Sequence, residues 1–335
     1  MPYITNRKDV LDAFEDARMN GWVIPAFGVE NSTTIEAVLS AATEQADHLG
    51  APNMPIMLAV TNRYVERTQS TYYTHTRDWR IGLDLILADL EILTRPGSPY
   101  ANLRVMLHLD HIQHDIDVEL WEGDLSRFSS IMFDASTLSF EQNIISTQNF
   151  FADRSQEIVI EGACDYVGAP GSQLTSVRDA ERFYNETGVD WVVANLGTEH
   201  RAGVSELAYA GDLAQQISDT IGARLVLHGA SSVAPDSLGN LASDGICKVN
   251  LWTALERDSS RVLMHEMLRN ASRICGSTTA ADWVENGLLG PAAEVDAPLA
   301  LSHFTTEWRQ GLVFETMKQQ IAKFLRIWYP QSNVR

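Results

Sequence analysis

Cysteine is scarce in this chain. There are three in 335 residues, Cys164, Cys247 and Cys275, odd in number and far apart. That excludes a disulfide framework and fits reduced thiols inside a cell. Positive charge is also short, with 25 Lys and Arg against 44 Asp and Glu and a formal net charge of -19. A surface of that sign repels phosphodiester backbones and anionic lipid headgroups, so neither nucleic acid nor a membrane is expected as a partner. Long apolar runs are missing too. The opening stretch MPYITNRKDVLDAF lacks a hydrophobic segment of the secretory kind. Nothing further along approaches the roughly 20 apolar residues that span a bilayer. No Pro-, Gly- or Ser-rich linker and no low-complexity tract divides the sequence. With 45% hydrophobic and 21% charged residues, the expectation is one large globular domain, 1–335, in the cytoplasm.

What is present is alternation of short apolar runs with amphipathic stretches. The runs are WVIPAF (22–27), PIMLAVT (55–61), RVMLHL (104–109), SSIMFDA (129–135), EIVIEG (157–162), DWVVANL (190–196), RLVLH (224–228) and GICKVNL (245–251). Eight runs, nearly all apolar in pattern, predict an α/β fold, a closed parallel (β/α)8 TIM barrel. Between them, Ile35, Val38, Leu39 and Ala42 share a helical face, with Thr33 and Glu36 spaced as a capping box. Residues 178–187 read as a helix stopped by Gly188, and 79–93 as another. The crossover between the second and third strands, 62–102, is enlarged, either as an interface element or as decoration of the outer face. Residues 256–335 form a C-terminal helical extension. Its stripe of Phe314, Met317, Ile321, Phe324 and Leu325 suits packing on the barrel or, second, dimerisation.

In such a barrel, polar residues at the C-terminal ends of strands converge on one mouth. The third run leads into His108-Leu109-Asp110-His111, the sixth into Gly197-Thr198-Glu199-His200, and the seventh ends in His228-Gly229. Each histidine alone reads as well as a hydrogen-bonded structural residue. Three at strand ends point to one divalent ion, Zn2+ by ligand type, held by His111, His200 and His228 with a coordination position left open.

Four stretches, HLDH (108–111), SSIMFDAS (129–136), LHGASS (227–232) and GICKVN (245–250), resemble segments of the class II, metal-dependent fructose-bisphosphate and tagatose-bisphosphate aldolases, in the same order. AFGVENSTTIEAVLSAA (26–42) is similar to their first strand and helix, and TGVDWVVANLGTEH (187–200) to their sixth strand. The likeness covers residues from about 5 to about 255. It implies that His111, His200 and His228 are the ligands of a single catalytic zinc. It also implies that Asp110 exchanges a proton with the hydroxyl at the cleaved bond, where its alternative is to orient a histidine. Gly229, Ser231, Asn250 and Thr253 would line the ketose-phosphate pocket, and Thr61 would stand where a substrate-contacting serine is usual. A homodimer or higher homo-oligomer is implied as well.

The sequence departs from that pattern at several points. Arg201 replaces a glycine after the second zinc histidine, and its guanidinium could bind a substrate anion directly or pair with an acidic residue at the surface. Trp252 replaces an aspartate that touches substrate, which predicts a narrower and less polar pocket. Glu161 and Asp134 are kept, but Ala163 replaces a second glutamate, so an additional metal site is not expected. The loop 168–173 lacks the glutamates that move the enediolate proton, leaving Glu199 or Asp165 as candidate bases. The leading expectation is retro-aldol cleavage, or condensation, of a ketose phosphate or related anionic hydroxyketone other than the standard fructose bisphosphate. Isomerase or epimerase chemistry through an enediolate and a non-catalytic partner subunit are the alternatives.

Overall fold

The computed structural model describes residues 3–65, 67–166, 173–198 and 209–331. Eight parallel strands close into a barrel in the order of the chain. They are β1 Ile24–Gly28, β2 Pro55–Thr61, β3 Arg104–Gln113, β4 Ser130–Asp134, β5 Val159–Ala163, β6 Trp191–Val193, β7 Leu225–Leu227 and β8 Ile246–Leu251. The predicted (β/α)8 architecture is therefore present, with every expected strand found and β2 at its expected bounds. One strand differs. β3 continues past Leu109 to Gln113, and its pairing with β4 shifts register between Leu109 and Ile112. Inside the barrel the side chains are small or flexible: Ala26, Met57, Ala59, Met106, Met132, Val193 and Val226 are buried together.

Helix α1 (Arg7–Met19) is started by Asn6, whose side chain accepts from the backbone of Lys8 and Asp9. It buries Val10, Ala13, Phe14 and Ala17 among the residues that open the strands, with the Phe14 ring 4.1 Å from that of Trp191. That end of the barrel is thereby sealed, leaving the C-terminal ends of the strands for the site. Helix α2 (Ser32–Leu49) carries the expected apolar face, but its capping box is built by Asn31 and Thr34 rather than Thr33 and Glu36. Asn31 is a stronger cap because its short amide reaches the Thr34 backbone, while the Thr34 hydroxyl answers to the cap's own N–H. The helix Val177–Thr187 ends at Gly188, in left-handed conformation, as read from the sequence.

Two helices occupy the enlarged crossover, α3 (Gln69–Tyr72) and α4 (Trp79–Thr94). α4 buries Leu83, Ile86, Leu87 and Leu90, each contributing about 1.5–3 kcal/mol against exposure. A Cβ at Gly82 would stand 1.8 Å from the Ser70 carbonyl oxygen, so only glycine lets α3 lie this close to α4. The long helix Thr306–Trp328 closes the chain, packing on α2, with Met317, Ile321, Leu325 and Trp328 buried. Phe314 and Phe324 flank that buried row half-covered, so the stripe serves packing on the barrel. Among the described residues no helix is long and apolar enough to cross a membrane.

Candidate active site

Asp110 and His111 are neighbours in sequence, and in a regular strand neighbours point to opposite faces. Here both serve one site. The register shift in β3 and a left-handed backbone at His111 (φ 50°) turn the two side chains to the same mouth. A histidine in that conformation is strained, and such strain collects at functional sites. His228 enters from the end of β7. The ligand-type atoms of Asp110, His111 and His228 all lie within 4.8 Å of one another, and all three residues are buried. His200, Arg201 and Glu199 lie outside the described residues.

Each imidazole is fixed from behind by a carboxylate. His111 directs Nδ1 at Asp134 (2.9 Å), and His228 directs Nε2 at Glu161 (3.2 Å). Asp134 is held ionised: burial raises its pKa, but the hydrogen bonds from His111 and Ser136 outweigh burial. Burial likewise raises Glu161, and Lys248 with the two histidines around it more than reverses this, to about 2. An ionised carboxylate can only accept, so His111 Nδ1 and His228 Nε2 carry the protons. The other nitrogens, His111 Nε2 and His228 Nδ1, then face each other with lone pairs 3.2 Å apart. Burial, the largest influence, lowers the His228 pKa and keeps that ring neutral. Two tetrahedral ligands of zinc, each at 2.0–2.1 Å, would have nitrogens about 3.3 Å apart. The donor set and its spacing thus fit a divalent ion, and carboxylates behind ligating histidines are what such sites use.

Below these rings lies a buried polar layer. Lys248 on β8 donates to Glu161 (2.7 Å) and to His108 Nε2 (3.1 Å), and His108 Nδ1 meets the Ser130 hydroxyl (2.8 Å). Burial first, and then the Lys248 charge, lower the His108 pKa. Lys248 was not singled out from the sequence. Its signal was a lone cation in an otherwise apolar strand, where a buried charge requires a partner.

Asp110 is held at both oxygens. Oδ1 accepts from Asn250 Nδ2 (2.9 Å), and Oδ2 is ion-paired with Arg67. Burial pushes its carboxyl up, but His111, His108, Arg67 and His228 together hold it well below the usual carboxylate range. Arg67 belongs to the crossover, and its guanidinium stacks 5.1 Å from the centre of the Trp252 ring. Trp252 is itself pinned: its indole N–H donates to Glu30 (2.7 Å), and its ring lies so close on Gly28 that a Cβ there would meet it at 2.9 Å. Tyr64, three residues before Arg67, stacks on the His111 ring with centroids 4.5 Å apart.

The cavity at the mouth is lined by Ala59, Arg67, Asp110, His228 and Trp252, together with Gly229, Ser231, Asn250 and Thr253. Of the residues expected there, Gly229, Ser231, Asn250 and Thr253 are present. Thr61 is fully buried and turned away: its hydroxyl bonds the Arg67 carbonyl, and its backbone N–H donates to Gln69 (2.9 Å). Asp165 stands at the end of β5 with its carboxylate accepting from the Thr175 hydroxyl (2.6 Å). Two polar atoms of the wall, Asn250 Oδ1 and Arg67 Nε, are buried without a hydrogen-bond partner among the described residues.

The chain matches the family described as "Fructose-bisphosphate aldolase class-II" over residues 8–322. A sulfofructosephosphate aldolase of Alkalicoccus urumqiensis is 27% identical over 266 residues, 76% of this chain and 82% of that protein. In fold, the chain is similar to a fructose-bisphosphate aldolase of Campylobacter jejuni (TM-score 0.75, 17% identity, 97% of this chain and 95% of that one). It is similar also to the YdjI aldolase of Escherichia coli K12 (TM-score 0.65, 18% identity, 96% of each chain). Barrel, site and match over nearly the whole length agree: the chain belongs to the class-II fructose-bisphosphate aldolase family and is an aldolase.

Proposed function

We propose that this aldolase cleaves an acidic ketose phosphate into dihydroxyacetone phosphate and an aldehyde, with one zinc ion held by His111, His228 and His200. The observation that carries this reading is the pair of facing imidazole nitrogens, each oriented by a buried carboxylate. A divalent ion held by these histidines would supply positive charge beside the ketose oxygens as negative charge develops there. Asp110, with Asn250 and Arg67 occupying its two oxygens, is oriented as the proton acceptor rather than as a fourth ligand. During cleavage the hydroxyl proton moves to Asp110, that oxygen becomes the aldehyde carbonyl, and the electrons of the broken carbon–carbon bond pass to the ketose half. Protonation of that half completes the turnover. Asn250 Oδ1, buried and unpartnered, suits a substrate hydroxyl.

Gly229, Ser231 and Thr253 line the wall where backbone N–H groups and hydroxyls can cradle the ketose phosphate. Arg201 is kept in this reading as an anion-binding residue. The name of the relative, a sulfofructosephosphate aldolase, supports a substrate bearing a second anionic group besides phosphate. The same reading takes residues 1–335 as one cytoplasmic barrel domain, with 62–102 as crossover insertion and 256–335 as extension, that assembles as a homo-oligomer.

NMR of the zinc-loaded protein with sugar phosphates that bear a sulfonate or carboxylate should show an aldehyde product. EDTA should abolish it, and Asp110→Asn should lower kcat by about 10²- to 10⁴-fold. A product isomeric with the substrate would replace cleavage with isomerisation.

A further inference from the structure

Among the described residues that line the cavity, Arg67 is the one cation. Lys248, the nearest alternative, is fully buried and committed to Glu161 and His108. Arg67 is not on a barrel strand. It sits on the first turn of the crossover, where the Thr61 hydroxyl bonds its carbonyl and Gln69 ties the same turn to the Thr61 backbone. Gln69 also donates to Glu30 (3.2 Å), the carboxylate that pins the Trp252 indole. The arginine and the ring beneath it are therefore held by one set of contacts, and the guanidinium plane is fixed before any ligand arrives. One of its nitrogens reaches Asp110, while Nε is buried and finds no acceptor among the described residues. Leaving a buried charged donor unsatisfied is unfavourable, so the wall is complementary to an oxygen that the described residues do not supply.

We propose that Arg67 on its Trp252 platform is a subsite for a compact oxyanion, sulfonate or phosphate, on the aldehyde-derived half of the substrate. The side of the substrate follows from Asp110. If Asp110 takes the proton from the hydroxyl beside the cleaved bond, the guanidinium bonded to Asp110 borders the carbons beyond that hydroxyl. This step rests on the proposed aldol reading. Asn250 Oδ1 and Arg67 Nε then meet opposite needs of one ligand, a hydroxyl donor and an anionic acceptor. Arg67 is a specificity-determining residue in this account.

The test compares the condensation of dihydroxyacetone phosphate with glyceraldehyde 3-phosphate, which has a terminal oxyanion, and with glyceraldehyde, which has none. Zinc-loaded wild type, Arg67→Met and Arg67→Lys are measured, with thermal midpoints confirming that each is folded. Arg67→Met should raise the KM for the phosphorylated aldehyde about 10- to 100-fold, the worth of a charged hydrogen-bonded contact. Its KM for glyceraldehyde should change by less than about threefold, with kcat falling alike on both because Asp110 loses its partner. Arg67→Lys should recover part of the selectivity. Equal KM changes on both aldehydes, or none, would reduce Arg67 to a support for Asp110 and overturn the subsite. A readout without turnover is calorimetric titration of 3-hydroxypropane-1-sulfonate and, separately, glycerol 3-phosphate into wild type and Arg67→Met. Tenfold or greater weakening of either anion supports the subsite, and unchanged or undetectable binding of both in wild type overturns it. Anion binding that depends on Arg67, in a protein that condenses neither aldehyde and cleaves no sulfonated or carboxylated sugar phosphate, would keep the subsite and remove the proposed reaction.

Discussion

The floor of the site and its rim are built on different terms. On the floor, His108, Ser130, Asp134, Glu161 and Lys248 sit on barrel strands, buried, with charge answered by charge and hydrogen bonds passing from one to the next. On the rim, Tyr64, Arg67 and Glu30 come from the connections between strands and Trp252 from the residue after β8. They leave a donor unsatisfied beside a β8 asparagine with an unsatisfied acceptor. The floor is complete in the folded protein and orients the histidines; the rim is complementary to something that must arrive. Separating these tasks lets a substrate preference change through loops without disturbing the groups that orient the chemistry.

Breaking the floor should have the larger effect. Glu161→Gln leaves Lys248 buried without its counter-charge, at a cost of about 3–5 kcal/mol, measured by urea unfolding. It also frees the His228 tautomer, so zinc affinity in a competition titration should fall about 10- to 100-fold. Adding Lys248→Met should restore much of the stability and none of the affinity. Recovery of both together would mean that the floor only stabilises the fold.

On the rim side the effect is smaller and depends on pH. Burial, with the Glu30 charge behind it, raises Glu256 to about 7 from an ordinary 4.5. Because the folded protein holds this proton more tightly than the unfolded chain does, stability falls as pH rises from about 4.5 through 7. Glu256→Gln should therefore gain about 3 kcal/mol over wild type at pH 8 and nothing at pH 4. A pH-independent difference would show that Glu256 stays ionised in the fold.

The barrel was legible because its signal is long-range and repeated: eight apolar runs, each too short for anything but a strand, separated by helical faces. Histidines at strand ends were legible for the same reason, since a strand end in a barrel has only one place to be. The bulge at Asp110 and His111 was not, because no hydropathy pattern records a left-handed histidine, and β3 was accordingly read four residues short. Thr61 was read toward the substrate, but the crossover it meets supplies closer partners. Arg67 and Glu30 carried no signal at all. Charges in connections are ordinary, and only the fold shows that these two share the Trp252 ring. Trp252 itself was visible as a departure, although its role as a platform was not.

One divalent ion is expected between two imidazoles held apart at ligand distance. A crystal structure of the zinc-loaded protein, with anomalous differences collected at the zinc edge, tests it most directly. One peak per chain is expected, about 2.0–2.1 Å from both His111 Nε2 and His228 Nδ1. A peak elsewhere, or no peak in a protein that still cleaves its substrate, would contradict it.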